Sequence, residues 1–184
     1  MYGGDKMTIG IDIDDTITYT TKRANEILHQ NDEYKMVKDY HDLPDVIKKE
    51  FVDKNLATIV KSSLLKEDVK EVLNKWHQEK IKIIFISARG SYGQYISIPL
   101  TSLYFKKHDI YFDELIFMKD KKGSCAYFKK IDLFIDDKES VLDDIKTYGI
   151  KTLRITTDKS KHDTAKTWLE IKKYVEAMGD NYGR

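Results

Sequence analysis

The sequence has very little cysteine, few prolines and no long apolar runs. Cys125 is the only cysteine among 184 residues, which excludes a disulfide framework and a thiolate metal cluster. The longest apolar runs have the length of a strand, far below the ~20 residues that a membrane helix needs. The sequence also has almost no excess of charge of one sign, since 32 basic and 31 acidic residues leave a formal net charge of +1. That balance argues against a protein that coats nucleic acid, because phosphate contacts come mostly from a basic face.

The length suits one α/β domain with a small insertion and is too short for two full domains. Residues 1–6 contain glycine and show no hydrophobic signal core. We therefore expect a cytoplasmic protein with no membrane partner.

Five short apolar segments predict β-strands, and helical patterns separate the later ones. The clearest helix is predicted at 68–78, and another near the end of the chain, with Asp163 as its cap and Gly179 as its end. This alternation predicts βαβ units and a parallel sheet. The predicted strands are 8–13, 81–86, 114–118, 131–135 and 150–155.

About 65 residues separate the first two predicted strands, far more than a simple crossover needs. This stretch has no strand pattern, but it has helical patterns at 24–28, 45–52 and 56–65. We therefore predict a small helical insertion at 18–66 above an α/β core made of 1–17 and 67–184.

Polar side chains follow four of the predicted strands at the point where each strand ends. In open parallel sheets, ligands bind in the crevice at the carboxyl ends of the strands. Each motif alone is weak, but their order along the chain predicts one common site. In chain order the residues are Asp12, Asp14 and Thr16, then Ser87, then Lys122, and last Asp136 and Asp137.

The acidic members of this group indicate a metal ion. Two carboxylates about 5 Å apart repel by roughly 3 kcal/mol at an effective dielectric constant near 20. Clustering Asp12, Asp14, Asp136 and Asp137 at one edge therefore calls for a cation or for raised pKa values. Oxygen ligands beside a phosphate are typical of Mg²⁺. The five histidines are scattered along the chain, which argues against zinc.

With Mg²⁺ present, these residue types suit phosphoryl transfer. A carboxylate such as Asp12 can accept a phosphoryl group and split one hard hydrolysis into two easier steps. A second acid two residues on, Asp14, can protonate the leaving oxygen and then deprotonate water. The Ser87 hydroxyl and the Lys122 ammonium can hold the phosphate oxygens, where charge accumulates.

These motifs resemble the haloacid dehalogenase-like (HAD) superfamily of phosphohydrolases. Its D-x-D-x-T/V motif matches 12–16, its Ser or Thr after an apolar strand matches Ser87, and its lysine best matches Lys122. Its late acidic pair matches Asp136 and Asp137. The resemblance implies a Rossmann-like α/β core with a helical C1 cap at 18–66. It also implies that Asp12 is the nucleophile and a metal ligand.

The resemblance further implies that Asp14 is the acid/base and binds the metal through its backbone carbonyl. Within the superfamily, the motifs are similar to the 5′(3′)-deoxyribonucleotidase-type branch, which implies a nucleoside monophosphate or a similar small phosphate ester as substrate. Two positions depart from the pattern. Asp15 stands where many members have Gly, and Lys119 and Lys121 compete with Lys122 for the role of the phosphate-binding lysine.

Candidate substrate-binding residues are Thr16, Ser87, Arg89 and Lys122. Arg89 is expected to reach a phosphate or a substrate hydroxyl. Near the cap junctions, polar and aromatic side chains such as Tyr40 are candidates for contact with a base or sugar, although core packing explains any single one more simply.

Two other functions stay open at the level of the sequence. One is a HAD phosphatase for a different ester, such as a sugar phosphate or a nucleic-acid end. The other is a phosphoacceptor receiver domain, which also uses an acidic pocket, a hydroxyl and a lysine. Receivers carry the phosphate-accepting Asp on a later strand, whereas here that strand ends in Ser87.

Overall fold

The computed structural model describes residues 7–89, 94–118 and 121–181. Its core is a six-stranded sheet, all parallel, with the strand order β3-β2-β1-β4-β5-β6. The predicted α/β fold with a parallel sheet is therefore confirmed. The strands are β1 Thr8–Ile11, β2 Lys82–Ser87, β3 Glu114–Phe117, β4 Leu133–Asp136, β5 Lys151–Ile155 and β6 Asp163–Ala165.

Helices cover both faces of this sheet, because most of the crossovers between its parallel strands contain a helix. They are α1 Thr20–Leu28, α2 Asp45–Ser62, α3 Val69–Gln78, α4 Gln94–Lys107, α5 Gly123–Phe128, α6 Glu139–Lys146 and α7 Trp168–Asn181. None of the helices within the described ranges is long and apolar enough to cross a membrane.

The larger half of the core lies on the sheet face covered by α3, α4 and α7. Alternate residues of the central strands, such as Ile9, Ile11 and Phe85, point to this side. They pack against the two buried tryptophans, Trp76 and Trp168, whose ring centroids are 6.0 Å apart. The apolar side of α3, the helix predicted at 68–78, is therefore buried against the sheet.

The opposite face of the sheet carries a smaller apolar cluster under α5 and α6. Ile84, Ile86 and Phe134 point to this side and pack against Ala126 and Leu142. Successive side chains of a strand point alternately into the two clusters, so the central strands are buried on both faces. Their sequences are therefore continuous apolar runs.

Three sequence predictions about helices are wrong. Two concern the ends of the last helix, and one concerns the helices of the insertion. Asp163 does not cap the last helix, because it begins β6, a strand too short to show a period. The helix begins at Trp168, after Thr167, whose hydroxyl accepts the N–H of Glu170 at 3.2 Å. Gly179 lies inside α7, and the helices predicted at 45–52 and 56–65 are the single helix α2.

Helix α4 was not predicted, because its apolar residues do not fall on one side. Ile96 and Leu103 are exposed, whereas Tyr104 and Phe105 are buried, and Pro99 lies inside the helix. The helix packs against α2. The Tyr104 hydroxyl donates to the carbonyl of Ser63 at 2.8 Å, which joins α4 to the end of the insertion.

The insertion after β1 consists of α1, a 3-10 turn at Tyr40–Asp42 and α2. An isolated bridge between Thr18 and Leu65 closes its base. The Tyr19 N–H donates to the carbonyl of Leu64 at 2.9 Å, so both ends of the segment meet at the carboxyl edge of the sheet.

Candidate active site

Three strand ends bring acidic and hydroxyl side chains to one edge of the sheet. β1 lies between β2 and β4, and its register aligns Ile11 with Phe85 on one side and with Ile135 on the other. Asp12 and Asp136 directly follow the aligned residues and therefore emerge side by side, and Ser87 ends β2 two residues beyond Phe85. The backbone N–H of Asp12 donates to the carbonyl of Ile135 at 3.0 Å, which extends this alignment past the end of β1.

The carboxylates of Asp12, Asp136 and Asp137 form the cluster that could hold a metal ion. One oxygen from each lies within 4.8 Å of the others. Asp12 and Asp136 are buried, and Asp137 is half-buried. A compact set of oxygen donors fits a hard divalent cation such as Mg²⁺. The Asp14 carboxylate is not part of this cluster, because it faces a different partner.

Lys122 lies among these acids. Its ammonium donates to Asp12, and to Asp136 at 2.9 Å, and its side chain is only 6% exposed. Burial opposes the charged form, but the two carboxylates outweigh it and raise the pKa of the Lys122 ammonium. Lys121 is exposed, and Lys119 lies outside the described residues.

Helix α5 brings Lys122 to this position. Its first residue, Gly123, lies so close to the ring of Tyr148 that a Cβ there would overlap it. The Gly123 N–H also donates to the carboxylate of Asp144 on α6 at 2.7 Å. The glycine therefore lets α5 begin against α6, with Lys122 directed to the strand ends.

Burial and neighbouring charge raise the pKa of two of the clustered acids. For Asp12 the main cause is burial, and Asp136 and Asp14 add to it, whereas Lys122 opposes it. Burial, with the charge of Asp136, raises the pKa of Asp137 to about 6. Both shifts express the cost of crowding anions away from water, and a bound cation would relieve that cost.

Asp14 has a cationic partner of its own. The guanidinium of Arg89 reaches both carboxylate oxygens, with Nη2 at 2.6 Å from Oδ1 and Nε at 2.9 Å from Oδ2. The hydroxyl of Thr20 donates to Oδ1 at 2.7 Å. Burial would raise the pKa of the Asp14 carboxyl, but Arg89 and then Thr20 outweigh it and lower that pKa.

Arg89 is itself held by the element that follows it. Its Nη1 donates to the hydroxyl of Thr101 on α4 at 2.8 Å, and its carbonyl accepts the hydroxyl of Ser97 at 3.1 Å. The side chain is 5% exposed. The sequence led us to expect Arg89 on the substrate, whereas the structure places its guanidinium on Asp14. Because α4 was not predicted, this pairing could not be read from the sequence.

Thr16 and Ser87 are fully buried beneath the site. The Thr16 hydroxyl donates to Asp137 Oδ1 at 3.3 Å and accepts the Asp137 N–H at 3.1 Å, so it holds a residue of the acidic cluster. The Ser87 hydroxyl accepts the N–H of Arg89 at 3.2 Å.

The backbone conformation and contacts of Asp15 explain why an aspartate can stand where many HAD members have glycine. Its φ is 57°, in the left-handed region that favours Gly and that Asp tolerates better than most residues. Its carboxylate accepts the N–H of Thr21 at 2.9 Å, inside the first turn of α1. The aspartate therefore serves the turn that starts the insertion.

A cavity of about 270 Å³ lies between the acidic edge and the inserted helices. Asp12, Asp14, Arg89, Lys122 and Asp136 line its floor, whereas Thr16, Ser87 and Asp137 do not. The insertion supplies the opposite wall, in which only Tyr40 had been singled out from the sequence. Lys138, just after β4, also lines the cavity and was missed.

The sequence matches no protein-family model and no curated protein. Solved structures do match in fold over nearly the whole chain. A HAD-superfamily hydrolase from Ehrlichia chaffeensis is 14% identical, with a TM-score of 0.59, covering 95% of this chain and 98% of that one. A HAD-superfamily hydrolase of subfamily IA, variant 1, from Geobacter sulfurreducens is 12% identical, with a TM-score of 0.66, covering 96% and 98%.

A HAD hydrolase of family IA, variant 3, from Entamoeba histolytica is 12% identical, with a TM-score of 0.64, covering 97% of this chain and 100% of that one. The chain has the HAD fold. Identities this low establish the fold alone, and the predicted HAD-type core is confirmed at that level. The chemistry of the HAD-fold site must be argued from its own residues.

Proposed function

We propose that this protein is a Mg²⁺-dependent phosphomonoester hydrolase that works through an aspartyl-phosphate on Asp12. The observation that carries the proposal is the position of Asp12. It is a buried carboxylate at the end of the central strand, it belongs to a three-carboxylate cluster, and it contacts the ammonium of Lys122. The HAD hydrolase names of the matched structures support a hydrolase more than a signalling receiver.

The metal would be held by the carboxylates of Asp12, Asp136 and Asp137, with the backbone carbonyl of Asp14 as a further ligand. Bound there, Mg²⁺ would offset the charge of the acids and of the phosphate. The insertion at 18–66 would act as a cap that excludes water from the cavity.

In the first step, a carboxylate oxygen of Asp12 attacks phosphorus and the bond to the leaving oxygen breaks. Against the effect of burial, Arg89 lowers the pKa of Asp14 in the free protein, and the negative charge of a bound phosphate would raise it again, so that Asp14 is protonated in the complex. Asp14 then donates this proton to the leaving oxygen, so the alcohol leaves neutral. In the second step, Asp14 takes a proton from water as the water oxygen attacks phosphorus. The acyl–phosphate bond breaks, phosphate leaves, and both carboxyl groups return to their first state.

The remaining residues would bind and orient. Lys122 would hold phosphate oxygens, where the transition-state charge accumulates. Ser87, which is fully buried and does not line the cavity, would support the site by accepting the backbone N–H of Arg89. For Arg89, the contact with both oxygens of Asp14 supports a positioning role in place of direct substrate contact. Thr16 would support the metal site through Asp137 rather than touch the substrate.

Nucleoside monophosphates are the first substrates that the motif resemblance suggests, as in the 5′(3′)-deoxyribonucleotidase-type branch. Sugar phosphates and nucleic-acid ends are alternative esters for the same chemistry. A nucleotidase would hydrolyse a nucleoside monophosphate with a kcat/KM at least about tenfold above that for a sugar phosphate.

The test is hydrolysis of p-nitrophenyl phosphate by the whole chain, with Mg²⁺ and with EDTA. We expect turnover that EDTA abolishes, and none in Asp12→Asn. Asp32→Asn makes the same chemical change at a side chain that is 97% exposed, and it should keep the wild-type rate. Phosphate release by Asp12→Asn at the wild-type rate would contradict the mechanism.

A further inference from the structure

The wall of the cavity that faces the acidic edge is aliphatic. It is formed by one residue of α1 and four of α2, and we call these five residues the aliphatic wall. They are Ala24, Val52, Leu56, Ile59 and Val60. The four residues of α2 recur on one side of the helix, at i, i+4, i+7 and i+8, so a single helix face covers the site.

The polar side chains beside the aliphatic wall are engaged with other partners. The Thr20 hydroxyl donates to Asp14, and the His41 ring pairs with Asp39 at 2.8 Å. The ammonium of Lys48 lies 3.1 Å from the carboxylate of Asp45 and donates to the carbonyl of His41 at 3.1 Å. These contacts hold the insertion together and join it to Asp14 in the core.

Tyr40 extends the apolar character of this side with an aromatic ring. The ring lies against the imidazole of His41, with centroids 4.0 Å apart, and near Phe51, with centroids 6.1 Å apart. A volume of about 270 Å³ is close to the lower end of ligand pockets, roughly 300–1,000 Å³. The cavity therefore suits a phosphate with a small body.

The two sides of the cavity differ in polarity. The floor carries the acids, Lys122 and Arg89, where a metal and a phosphoryl group would be bound. The aliphatic wall lies where the leaving group must then be placed. A leaving group rich in hydroxyls or amides would lose water there without gaining partners, at roughly tenfold in affinity for each group left unpaired.

We propose that the substrate is a phosphate monoester of a small apolar alcohol or phenol, whose hydrocarbon body packs against the aliphatic wall. The proposal rests on the phosphomonoesterase function proposed above and names its substrate class. Contact with the aliphatic wall would also distinguish between substrates, because each buried methylene raises the binding constant about fourfold.

The experiment measures kcat/KM for a series of n-alkyl phosphates, from methyl to hexyl, with the whole chain and Mg²⁺. Phenyl phosphate, a deoxynucleoside monophosphate and a hexose phosphate complete the panel. We expect kcat/KM to rise about fourfold per methylene until the cavity is filled. The best alkyl or aryl ester should exceed the nucleotide and the hexose phosphate by at least about tenfold.

Variants of α2 locate the effect. Leu56→Asn places an amide in the aliphatic wall and should flatten the rise with chain length. Val46→Asn is the matched control, because Val46 lies on the same helix and is 80% exposed. Its slope should equal that of the wild type. Val52→Thr, close in shape to the natural residue, provides a milder change of the wall should Leu56→Asn not fold, and it should lower the slope.

The outcomes separate the two proposals. Hydrolysis of every ester at similar kcat/KM, or a clear preference for the nucleotide or the hexose phosphate, would overturn the apolar substrate class and leave the phosphomonoesterase intact. A slope that Val46→Asn lowers as much as Leu56→Asn would also overturn it. If no ester were hydrolysed, the phosphomonoesterase function would fail and the substrate class with it.

Discussion

Among single residues, Arg89 changes the chemistry of the site most directly. It is buried, and it contacts both carboxylate oxygens of Asp14 through a planar fork that a lysine cannot reproduce. A carboxylate fixed in this way has one orientation toward the cavity. Its distance to a leaving oxygen is then set by the protein before a substrate binds.

The prediction at this scale concerns Arg89→Lys and Arg89→Gln. We expect kcat/KM for an alkyl phosphate to fall by about 10²-fold, because Asp14, in its proposed role as the acid, would deliver its proton poorly once displaced. For p-nitrophenyl phosphate, whose leaving group needs no proton, the loss should be at least about tenfold smaller. Steady-state kinetics with both esters measures this difference.

Arg23→Gln serves as the control, because Arg23 pairs with Glu26 and Ser62 on the insertion and does not line the cavity. Its kinetics should match the wild type. Equal losses for the two esters in the Arg89 variants would mean that Arg89 only supports the fold.

Among the elements, β1 leaves no room for an added side chain at Gly10. At Gly10 a Cβ would lie 2.5 Å from a ring carbon of Phe134 and 2.6 Å from Ile131. The glycine lets the ring of Phe134 and the side chain of Ile131 pack directly on the central strand. Side-chain bulk at this position would push apart β1 and the layer that contains α5 and α6.

For Gly10→Ala we expect the free energy of unfolding to fall by about 1–3 kcal/mol through overpacking. Gly179→Ala is the matched control, because nothing lies within 4 Å of the added Cβ and the residue is inside α7. It should raise the free energy of unfolding by about 0.5–1 kcal/mol. Urea unfolding measures both. Equal effects of the two substitutions would contradict this account of β1.

For the whole molecule, stability depends on a concentrated group of acids inside a nearly neutral chain. The folded pKa of Asp137 is about 6, above the value of about 3.9 expected in the unfolded chain. The folded state therefore binds more protons between these values. The contribution of Asp137 to the free energy of unfolding is therefore fully present below about pH 4 and is lost as the pH rises through about 6.

Without added metal, we expect the Tm of the wild type to fall relative to that of Asp137→Asn between pH 5 and pH 8. Each kcal/mol lost from the free energy of unfolding should lower Tm by about 2–4 °C. Mg²⁺ needs the ionised carboxylates, so it should raise Tm more at pH 8 than at pH 5. Thermal unfolding at both pH values, with EDTA or with Mg²⁺, measures this. A larger Mg²⁺ effect at pH 5 would contradict a carboxylate metal site.

The sequence by itself determined the parallel α/β core and which residues follow each strand. Continuous apolar runs report strands buried on both faces, and the acids that end them, such as Asp12 and Asp136, must emerge at the same edge. These are local signals, because strand burial and strand ends are written in consecutive residues. Two features gave no such signal and were not predicted: that α2 is one continuous helix, and that the short strand β6 exists.

Only the tertiary structure decided which side chains face one another. The pairing of Arg89 with Asp14 spans 75 positions and depends on α4, whose apolar residues show no period. The aliphatic wall likewise exists only because one face of α2 folds over the strand ends. Contacts between distant segments depend on packing and loop paths, and these are properties of the assembled core.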